Sequence, residues 1–568
     1  MKRLTFFMLM NVLAANAALA QETWITNASL VDPAKQTIRQ SMTVVLKDGL
    51  ITAVHKKKAP PQATTIDAAG KYLMPGLTDA HVHFFQSGGL YTRPDIIDLR
   101  KIRPYADEIK AVHAGFEQQL RRYVQNGITT VFDVGTTRRF LTRRQAIEGW
   151  AAAPQVYMAG PIITTGLIHR YDSLQDDTPF ILATDAAAGR RLVQEQLPWQ
   201  PDLIKLLISS DSEAPKNYLP IVEAVIDEAH HHGLRVAVHA TTLETARQAA
   251  EADADYLVHN VESETIDDAF VALLKKKKIV VCPALSVKNG YLHTFDQSRV
   301  FTTRELNYAE PFALGSVYDM KQLPDTAIAR LYKMKADERQ ERTAAAVRLN
   351  QQNLKKLSDA GVHIVSGSDA GNIGTLHAVS LLPELLLMQQ SGMSNWQVIQ
   401  AATINAAGIL DRPGYTGNIT AGQPANMLLL EGDPTTDLGQ LEHIRLVIRK
   451  GQVISPDTLV HHSTESLVQQ QLNAYNTRNM EAFLEPYAED VELFAFPDKL
   501  VCRGKEQMRK VYHFFNLASL LHCRIEKRII EGNFVIDEEH ILDDHGRKRG
   551  TAVYHIQNGK IRKVFFIN

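Results

Sequence analysis

Short apolar runs alternate with amphipathic stretches through the middle of the chain. The runs have the length and β-branched content of buried strands, and stretches such as YLPIVEAVIDEAHHHG between them have the spacing of helices that face a core. The strand-like runs are YLMPGLTDAHVHF, ITTVFDVG, QVYMAGPIITT, DLIKLLI, RVAVHA, DYLVHN, IVVCPAL and HIVSGSDA. Strands that alternate with helices in series predict the α/β class and a (β/α)₈ TIM barrel.

The flanks of this region have a different pattern, with β-alternation and glycine-centred turns. TWITNASLVDP and MTVVLKDGLITAV precede the barrel pattern, and GNITAGQPANMLLLEGDP and IRLVIRKGQVI follow it. We expect a small composite β-sandwich from residues 21–78 and 408–458 beside a barrel from 79 to 407. In residues 463–568 helical patterns precede a run of strands, which predicts a separate α+β domain.

The first 20 residues have the three-part pattern of a secretory signal peptide. Lys2 and Arg3 precede an apolar stretch, and Ala18 and Ala20 supply small residues for cleavage after Ala20. An N-terminal membrane anchor is the alternative, but Asn11 interrupts an apolar part that is already short for a bilayer. We therefore expect a periplasmic or secreted protein with no membrane span in its mature form.

Composition and charge narrow the classes of partner. The 568 residues carry a formal net charge of −1, which gives no electrostatic reason to expect nucleic acid or an anionic membrane. Three cysteines exclude a disulfide framework as the source of stability, although a bridge between Cys502 and Cys523 stays open. A small-molecule substrate remains the expected partner.

Chargeable side chains stand at the ends of the strand-like runs, where a barrel places its active site. His81 and His83 are two positions apart in a strand and so project to the same side. A lone strand histidine is more often structural than a ligand. His239, His259 and Asp369, however, each stand near the end of a further strand, and together the five side chains predict a metal site.

Lys205 interrupts the apolar run LIKLLI, where a buried ammonium is costly without a partner or the loss of its proton. A lysine that extends to the solvent at the barrel rim is the alternative. Desolvation favours the neutral amine, which can capture carbon dioxide as a carbamate, an anion able to bridge two cations.

As a set, these residues resemble the amidohydrolase superfamily, in particular its prolidase-like and imidazolonepropionase-related branch, over about Thr23 to Val453. The resemblance implies two divalent metal ions. The more buried ion would be held by His81, His83 and Asp369, and the more exposed ion by His239 and His259. Carboxylated Lys205 would bridge them together with a hydroxide. Zinc suits this donor set, although manganese, cobalt or iron could occupy it.

The implied function is hydrolysis of amide bonds by the bridging hydroxide, with Asp369 passing a proton from the water to the leaving nitrogen. Dipeptides or N-acyl amino acids are the expected substrates. Carbamates, esters, lactones or cyclic amides such as imidazolones are an alternative. A non-catalytic periplasmic binding protein is a further alternative, although folding alone does not require this donor set.

The sequence gives weaker signals for substrate-binding residues than for metal ligands. Many prolidase-like relatives show a TGGHG-type segment after the third strand, where this chain reads TTGLIHRYD. His169 and Arg170 are the candidate contacts there, with two ordinary loop residues as the alternative. The long connection from Val287 to Arg339 is expected to be a loop that covers the metals. Its candidate contacts are Tyr291, His293, Tyr308 and Tyr318.

The C-terminal region resembles the nuclear transport factor 2-like superfamily, in its SnoaL-like group, through AYNTRNMEAFLEPYAEDVEL and NGKIRKVFFI. The resemblance implies a cone-shaped α+β domain. Its pocket could be lined by Tyr475, Asp490, His513 and Asp537, although a packed structural role is favoured for each. We expect the domain to dimerise, which would make the protein a homodimer or a higher homo-oligomer.

Overall fold

Strands and helices follow the sequence pattern in a computed structural model, which describes residues 22–168, 170–171, 174, 177–209, 217–410, 417–517 and 520–567. The strands are β1 (Thr23–Asp32), β2 (Thr37–Lys47), β3 (Leu50–His55), β4 (Thr64–Asp67), β5 (Tyr72–Pro75), β6 (Leu77–Val82), β7 (Ile128–Asp133), β8 (Gln155–Met158), β9 (Ile162–Thr164), β10 (Phe180–Leu182), β11 (Leu203–Leu207), β12 (Arg235–His239), β13 (Tyr256–Val258), β14 (Val280–Cys282), β15 (His363–Ile364), β16 (Met427–Leu430), β17 (Ile444–Arg449), β18 (Gln452–Ile454), β19 (Tyr487–Ala495), β20 (Lys499–Arg503), β21 (Leu521–Glu531), β22 (Phe534–Asp543), β23 (Gly546–Gln557) and β24 (Lys560–Ile567).

The α-helices are α1 (Tyr105–Gln125), α2 (Arg138–Ile147), α3 (Ala186–Gln196), α4 (Leu219–His231), α5 (Leu243–Glu251), α6 (Asp268–Lys277), α7 (Ser286–Phe295), α8 (Thr303–Tyr308), α9 (Pro311–Val317), α10 (Thr326–Asp359), α11 (Leu381–Gln390), α12 (Asn395–Ala401), α13 (Ala407–Leu410), α14 (Thr464–Thr477), α15 (Met480–Leu484) and α16 (Lys505–Val511). Among the helices in the described part of the chain, none is long and apolar enough to cross a bilayer. The predicted signal peptide lies outside the described residues.

Strands from both flanks pair in one sheet of order β18-β17-β16-β5-β1-β2-β3, with β4 paired to β1. β16 joins the two flanks because it pairs antiparallel with β5, where Leu429 lies opposite Leu73. Both leucines are buried in the core of this sheet. The pairing links all eight strands, and β1 pairs with β4 through its first half and with β5 through its second half. The predicted sandwich arrangement of these strands stays a prediction.

The parallel strands that follow form two sheets. One has the order β6-β7-β8, and the other has the order β10-β9-β11-β12-β13-β14-β15. Isolated parallel bridges connect Ala159 to Leu203 and Val82 to Ala370, at the two seams between the sheets. Every strand-like run of the sequence contains a strand, but the pairing gives two parallel sheets and not one continuous eight-stranded barrel, because each seam has a single bridge. The parallel direction still brings the carboxyl ends of the strands to one side.

The connection from Val287 to Arg339 is largely helical, which corrects the prediction of a loop. It contains α8, α9 and parts of α7 and α10. The signals for these short helices are at their N-termini. Thr302 and Glu305 form a capping box at α8, and the side chain of Glu310 caps α9, which has Pro311 in its first turn.

The C-terminal domain consists of α14–α16 and a six-stranded sheet of order β20-β19-β24-β23-β22-β21. Residues of α14 such as Val468 share a buried cluster with Val535 and Ala552 of the sheet, so the helices cover one face of it. Helices α14 and α15 precede β19 and β20, and α16 precedes the last four strands, which confirms the predicted α+β class. Cys502 and Cys523 are buried and free, so the described residues contain no bridge between them.

The four side chains that could have lined a pocket in this domain have other surroundings. Asp537 is fully buried and accepts two hydrogen bonds of 2.7 Å from the guanidinium of Arg528. Tyr475 packs within a cluster of aromatic rings. Asp490 pairs with Arg562 at the surface, and His513 is exposed. A structural role in the packed interior of the domain is therefore supported best for Asp537 and Tyr475.

Helix α9 lies between the barrel region and α14 of the C-terminal domain. On one side, Asn473 donates a hydrogen bond of 2.7 Å to the carbonyl of Pro311, and a Cβ atom at Gly315 would lie only 2.7 Å from Asn473 Oδ1. On the other side, the N–H of Leu90 donates to Ser316 Oγ over 3.0 Å. The C-terminal domain thus supports a helix that contacts the segment after β6.

Candidate metal centre

The sequence-predicted donor residues lie at the carboxyl ends of the parallel strands. His81 is the last residue but one of β6, and His83 directly follows that strand. His239 is the last residue of β12. His259 directly follows β13, and Asp369 follows β15. The strand register pairs His239 with Val258, the residue before His259. The neighbouring strands therefore bring the side chains of His239 and His259 close together.

Asp369 is the centre of the group. Its Oδ1 atom lies 3.3 Å from Nε2 of His81 and 3.2 Å from Nε2 of His83, and its Oδ2 atom lies 3.7 Å from Nε2 of His259. The imidazole of His239 adjoins that of His259, with ring centroids 4.4 Å apart. The structure therefore brings the four histidines and the aspartate into one cluster.

Lys205 lies in the same buried region, in the middle of β11, with 2% of its surface exposed. Burial lowers the pKa of its ammonium group to about 7, and the negative charge of Asp369 opposes this shift. Its positive charge in turn contributes to the low pKa of His81 and of His239, in both cases after the larger effect of burial. A substantial fraction of the lysine is therefore neutral near neutral pH.

Three polar atoms of this cluster lack hydrogen-bond partners, which tests whether a cation fits. Among the described residues, His81 Nδ1, His81 Nε2 and Asp369 Oδ1 are buried and have no hydrogen-bond partner. Burial lowers the pKa of both His81 and His259 well below the usual value, so neutral imidazoles face a carboxylate. Neutral nitrogen lone pairs and carboxylate oxygens at such distances fit a divalent cation between them.

Main-chain contacts hold the candidate donor residues in place. The N–H of Asp369 donates to the carbonyl of His81 over 2.7 Å, and the N–H of His83 donates to the carbonyl of Ala370 over 2.8 Å. Asp369 and His259 have left-handed backbones, with φ of 52° and 73°. Such conformations are uncommon for residues with side chains and are concentrated at functional sites.

Asp79 is a supporting residue that the sequence analysis passed over, although it shares the alternation of His81 and His83. It is fully buried and accepts hydrogen bonds from the Ser368 N–H (2.9 Å) and Ser368 Oγ (2.6 Å). Burial raises its pKa to about 7. Since Ser368 precedes Asp369, this contact joins β6 to the residue that carries the central carboxylate.

A polar network beside the cluster was also missed by the sequence analysis. Arg93 makes a two-point ion pair with Asp95 (2.9 and 2.6 Å) and donates hydrogen bonds to Tyr291 Oη (3.2 Å) and Asn372 Oδ1. Tyr291 donates to Asn372 over 2.7 Å, and Asn372 donates to the carbonyl of Asp369 over 3.2 Å. The charge of Arg93 also lowers the pKa of His239. No local pattern connects Arg93 to the metal cluster, because Tyr291 and Asn372 are 198 and 279 residues away along the chain.

The predicted substrate contacts lie in several different places. His169 falls outside the described residues. Arg170 donates to the carbonyl of Pro94 over 3.1 Å, at the loop that also contains Arg93. Of the residues expected in the covering connection, Tyr291 belongs to the polar network beside Asp369.

The other three residues of that connection do not share this position. Tyr308 and Tyr318 pack in the cluster shared with the C-terminal domain, and His293, whose side chain is 42% exposed, hydrogen-bonds Ser298. The helical folding of the connection turns these three side chains away from Tyr291.

Comparison with known families agrees with this architecture. The amidohydrolase family model matches residues 72–454, and the SnoaL-like domain model matches residues 468–564. The chain belongs to the amidohydrolase family. Both resemblances predicted from the sequence are confirmed.

Individual relatives are distant. An uncharacterized protein of Mycobacterium tuberculosis is 24% identical over 236 residues, which cover 42% of this chain and 52% of that protein. This amidohydrolase thus matches about half the length of the mycobacterial relative. An imidazolonepropionase of Pseudoalteromonas atlantica is 25% identical over 329 residues, which cover 52% of this chain and 76% of that enzyme.

Among solved structures, a Xaa-Pro dipeptidase with bound methionine in its active site has a similar fold. The TM-score is 0.59 at 22% identity, and the match covers 77% of this chain and 100% of the dipeptidase. At this identity the comparison shows the fold alone.

Proposed function

We propose that this amidohydrolase is a binuclear metal-dependent enzyme that cleaves amide bonds of dipeptides or N-acyl amino acids. The observation that carries the proposal is the convergence of four histidines, one aspartate and a buried lysine, with buried donor atoms that have no other partner. Metal centres in hydrolases combine histidine and carboxylate donors in this manner.

The geometry supports a division of the donors between two ions. His81, His83 and Asp369 would hold one ion, because Asp369 Oδ1 is within 3.3 Å of both Nε2 atoms. His239 and His259, whose rings adjoin, would hold the other. A set of histidine and carboxylate donors suits zinc.

Lys205 would supply the shared ligand after carboxylation. Its neutral amine would attack carbon dioxide: a nitrogen–carbon bond forms, one carbon–oxygen π bond breaks with its electron pair moving to the oxygen, and the surplus proton of the nitrogen passes to water, which leaves an anionic carbamate. Burial supports this step, because a lysine with a pKa of about 7 is partly unprotonated at neutral pH.

Eight of the ten parallel strands, β6–β8 and β11–β15, would belong to one closed barrel. The single bridges at Ala159–Leu203 and Val82–Ala370 support closure, because they lie at the two seams. In such a barrel the catalytic groups gather at the carboxyl ends of the strands, as the donor residues do here.

In the reaction, bound divalent ions supply an activated water and polarise the scissile carbonyl. Asp369 acts as the general base and then the general acid: one carboxylate oxygen accepts the water proton and delivers it to the leaving nitrogen, so that the amine departs neutral. His81 and His259 stay unprotonated because they are buried, so they remain available as donors. Arg93 and Tyr291 position Asn372 and, through it, the backbone of Asp369.

The preference for open-chain amides is supported by the fold shared with a Xaa-Pro dipeptidase. Hydrolysis of a cyclic amide is the second candidate, and the partial match to an imidazolonepropionase favours it. We also propose export to the periplasm or medium, which is supported by the signal-like N-terminus.

The test is a Lys205→Ala variant, with Lys355→Ala on exposed α10 as the matched control. Turnover of a library of dipeptides, N-acyl amino acids and imidazolones is measured together with metal content. We expect the Lys205 variant to lose at least about 10²-fold in kcat/KM and to bind less metal, and the control to match the parent. Full activity with unchanged metal content in Lys205→Ala would exclude the bridging role. If the parent protein binds metal but hydrolyses none of these compounds, a non-catalytic binding protein would be favoured.

A further inference from the structure

A cavity of about 410 Å³ lies between α7, α11 and the start of α8. Its volume is within the range of roughly 300–1,000 Å³ that is usual for small-molecule sites. None of the candidate metal donors His81, His83, His239, His259 and Asp369 is among its described lining residues. The cavity is therefore a second space, separate from the candidate metal centre.

Helix α11 supplies an apolar wall of this cavity. Leu381 and Leu385 belong to the buried core, whereas Leu382, Leu386 and Leu387 are only half-buried and line the cavity. A helix at the surface of a domain ordinarily has one apolar stripe, which faces the core. The second apolar face of α11 therefore fits an occupant with an apolar chain.

The guanidinium of Arg304 supplies a positive charge in the same cavity. It donates hydrogen bonds to the carbonyl oxygen of Glu442 (3.0 Å) and to Asn126 Oδ1 (2.8 Å), which are both neutral acceptors. Burial lowers the pKa of Arg304, and the negative charge of the exposed Glu442 side chain opposes this shift. A guanidinium has five N–H donors, so further donors remain for an anion.

The second arginine of the cavity has its own counterion. Arg299 pairs with Glu305 over 2.7 Å, and the other carboxylate oxygen of Glu305 accepts the N–H of Thr302 over 2.8 Å. Both oxygens of this carboxylate are thus engaged away from Arg304. A partly buried cation whose hydrogen-bond partners are neutral is stabilised when an anion binds to it.

The hydroxyl of Thr375 is an independent sign of a ligand. Thr375 is 2% exposed and lines the cavity, and its Oγ1 atom has no hydrogen-bond partner among the described residues. Its N–H donates to the carbonyl of Asn372 over 2.8 Å, and its carbonyl accepts the N–H of Gly371 over 2.9 Å. An occupant that contacts Thr375 therefore also stabilises the loop that follows Asp369.

We propose that this cavity binds an amphipathic carboxylate, of the chemical class of medium-chain fatty acids. The apolar chain lies against Leu382 and Leu386, and the carboxylate accepts hydrogen bonds from Arg304. Burial of the chain and the charge-assisted hydrogen bonds both contribute to the affinity. A single unpaired positive charge suits a monoanion better than a phosphate dianion. The inference does not depend on the proposed hydrolytic function.

Calorimetric titration of the purified full chain with octanoate tests the site. Arg304→Gln removes the charge, and Arg330→Gln, at an exposed position of α10, is the matched control. We expect the parent and the control to bind octanoate with a dissociation constant below about 1 mM, and Arg304→Gln to bind it at least about tenfold more weakly. Acetate, which lacks the chain, and octanol, which lacks the charge, should each bind the parent at least about tenfold more weakly than octanoate.

Val300→Asp provides the same test if Arg304→Gln does not fold, because Val300 lines the cavity and is 75% exposed. The added negative charge should weaken octanoate binding at least about fivefold. Equal affinity in the parent and both variants, or no saturable binding by the parent below about 1 mM, would overturn the proposed site. Acetate or octanol binding as tightly as octanoate would overturn the proposed class of ligand.

Hydrogen exchange tests the contact with the loop after Asp369. At a concentration that saturates the parent, octanoate should slow exchange of the Gly371 and Thr375 amides at least about threefold in the parent, and less in Arg304→Gln. Unchanged exchange of these amides in the parent while octanoate binds would overturn the proposed contact with Thr375.

Discussion

His83 Nδ1 lies 2.8 Å from the carbonyl oxygen of Gly135. A carbonyl can only accept, so Nδ1 carries the proton and Nε2 presents its lone pair to the site, 3.2 Å from Asp369 Oδ1. The loop after β7 thus selects the tautomer that a metal ligand needs.

Substitution Gly135→Ala should weaken metal binding about 10- to 100-fold. The added Cβ would lie 2.5 Å from Ile162 and 3.5 Å from the His83 ring, and φ of 135° strains any side chain. Titration with zinc after chelation measures the affinity. Gly149→Ala is the matched control, because nothing lies within 4 Å of its Cβ position. Unchanged affinity in the Gly135 variant would contradict the orienting role of this carbonyl.

Substitution Gly315→Val should loosen α9 from the C-terminal domain. The side chain would meet Asn473 Oδ1 at 2.7 Å and Gln469 Nε2 at 2.8 Å, and overpacking of this kind lowers the free energy of unfolding by about 1–3 kcal/mol. Because α9 also holds Leu90 in the segment after β6, kcat/KM should fall as well.

Thermal unfolding and steady-state kinetics check this prediction. Gly115→Ala in α1 is the control, since its Cβ has no neighbour within 4 Å and removal of a helical glycine stabilises a helix by up to about 1 kcal/mol. A Gly315→Val variant with the parent's stability and activity would show that the two domains act independently.

Glu539 predicts a pH dependence of stability in the C-terminal domain. Burial raises its pKa from 4.5 to about 7, with Asp537 adding to the rise while Tyr554 and Arg528 oppose it. The folded state therefore binds the proton more tightly than the unfolded state, so the contribution is complete below pH 4.5 and is lost as the pH rises to about 7. A shift of this size corresponds to at most about 3 kcal/mol.

Urea unfolding at pH 5 and pH 8 measures this effect. Glu539→Gln, which keeps the shape but does not titrate, should reduce the difference between the two pH values, and His513→Gln at the exposed surface should not. An identical pH difference in the parent and in Glu539→Gln would refute the assignment.

Much of the fold and the clustering of the candidate donor residues could be predicted because the signals are local. His81, His83 and Lys205 interrupt apolar runs, and the alternation of a strand fixes the face on which they lie. Helices α8 and α9 of the 287–339 connection were missed because they are short and are stabilised by packing against α14. Arg93 was missed for a related reason, since its partners Tyr291 and Asn372 are about 200 or more residues away.

The closing of the parallel strands is also a tertiary property. Whether the parallel strands form one barrel depends on two seams, and each seam joins segments that are distant in sequence. The structure has one isolated β-bridge at each seam. Periodicity predicts the strands but contains no information on the strength of these seams.

The most direct test of the account is elemental analysis of the purified protein, together with the activity of chelated and metal-restored samples. About two divalent transition-metal ions per chain are expected, and chelation should abolish amide hydrolysis reversibly. One ion per chain, or full hydrolytic activity in metal-free protein, would contradict the proposal that His81, His83, His239, His259 and Asp369 form a binuclear catalytic centre.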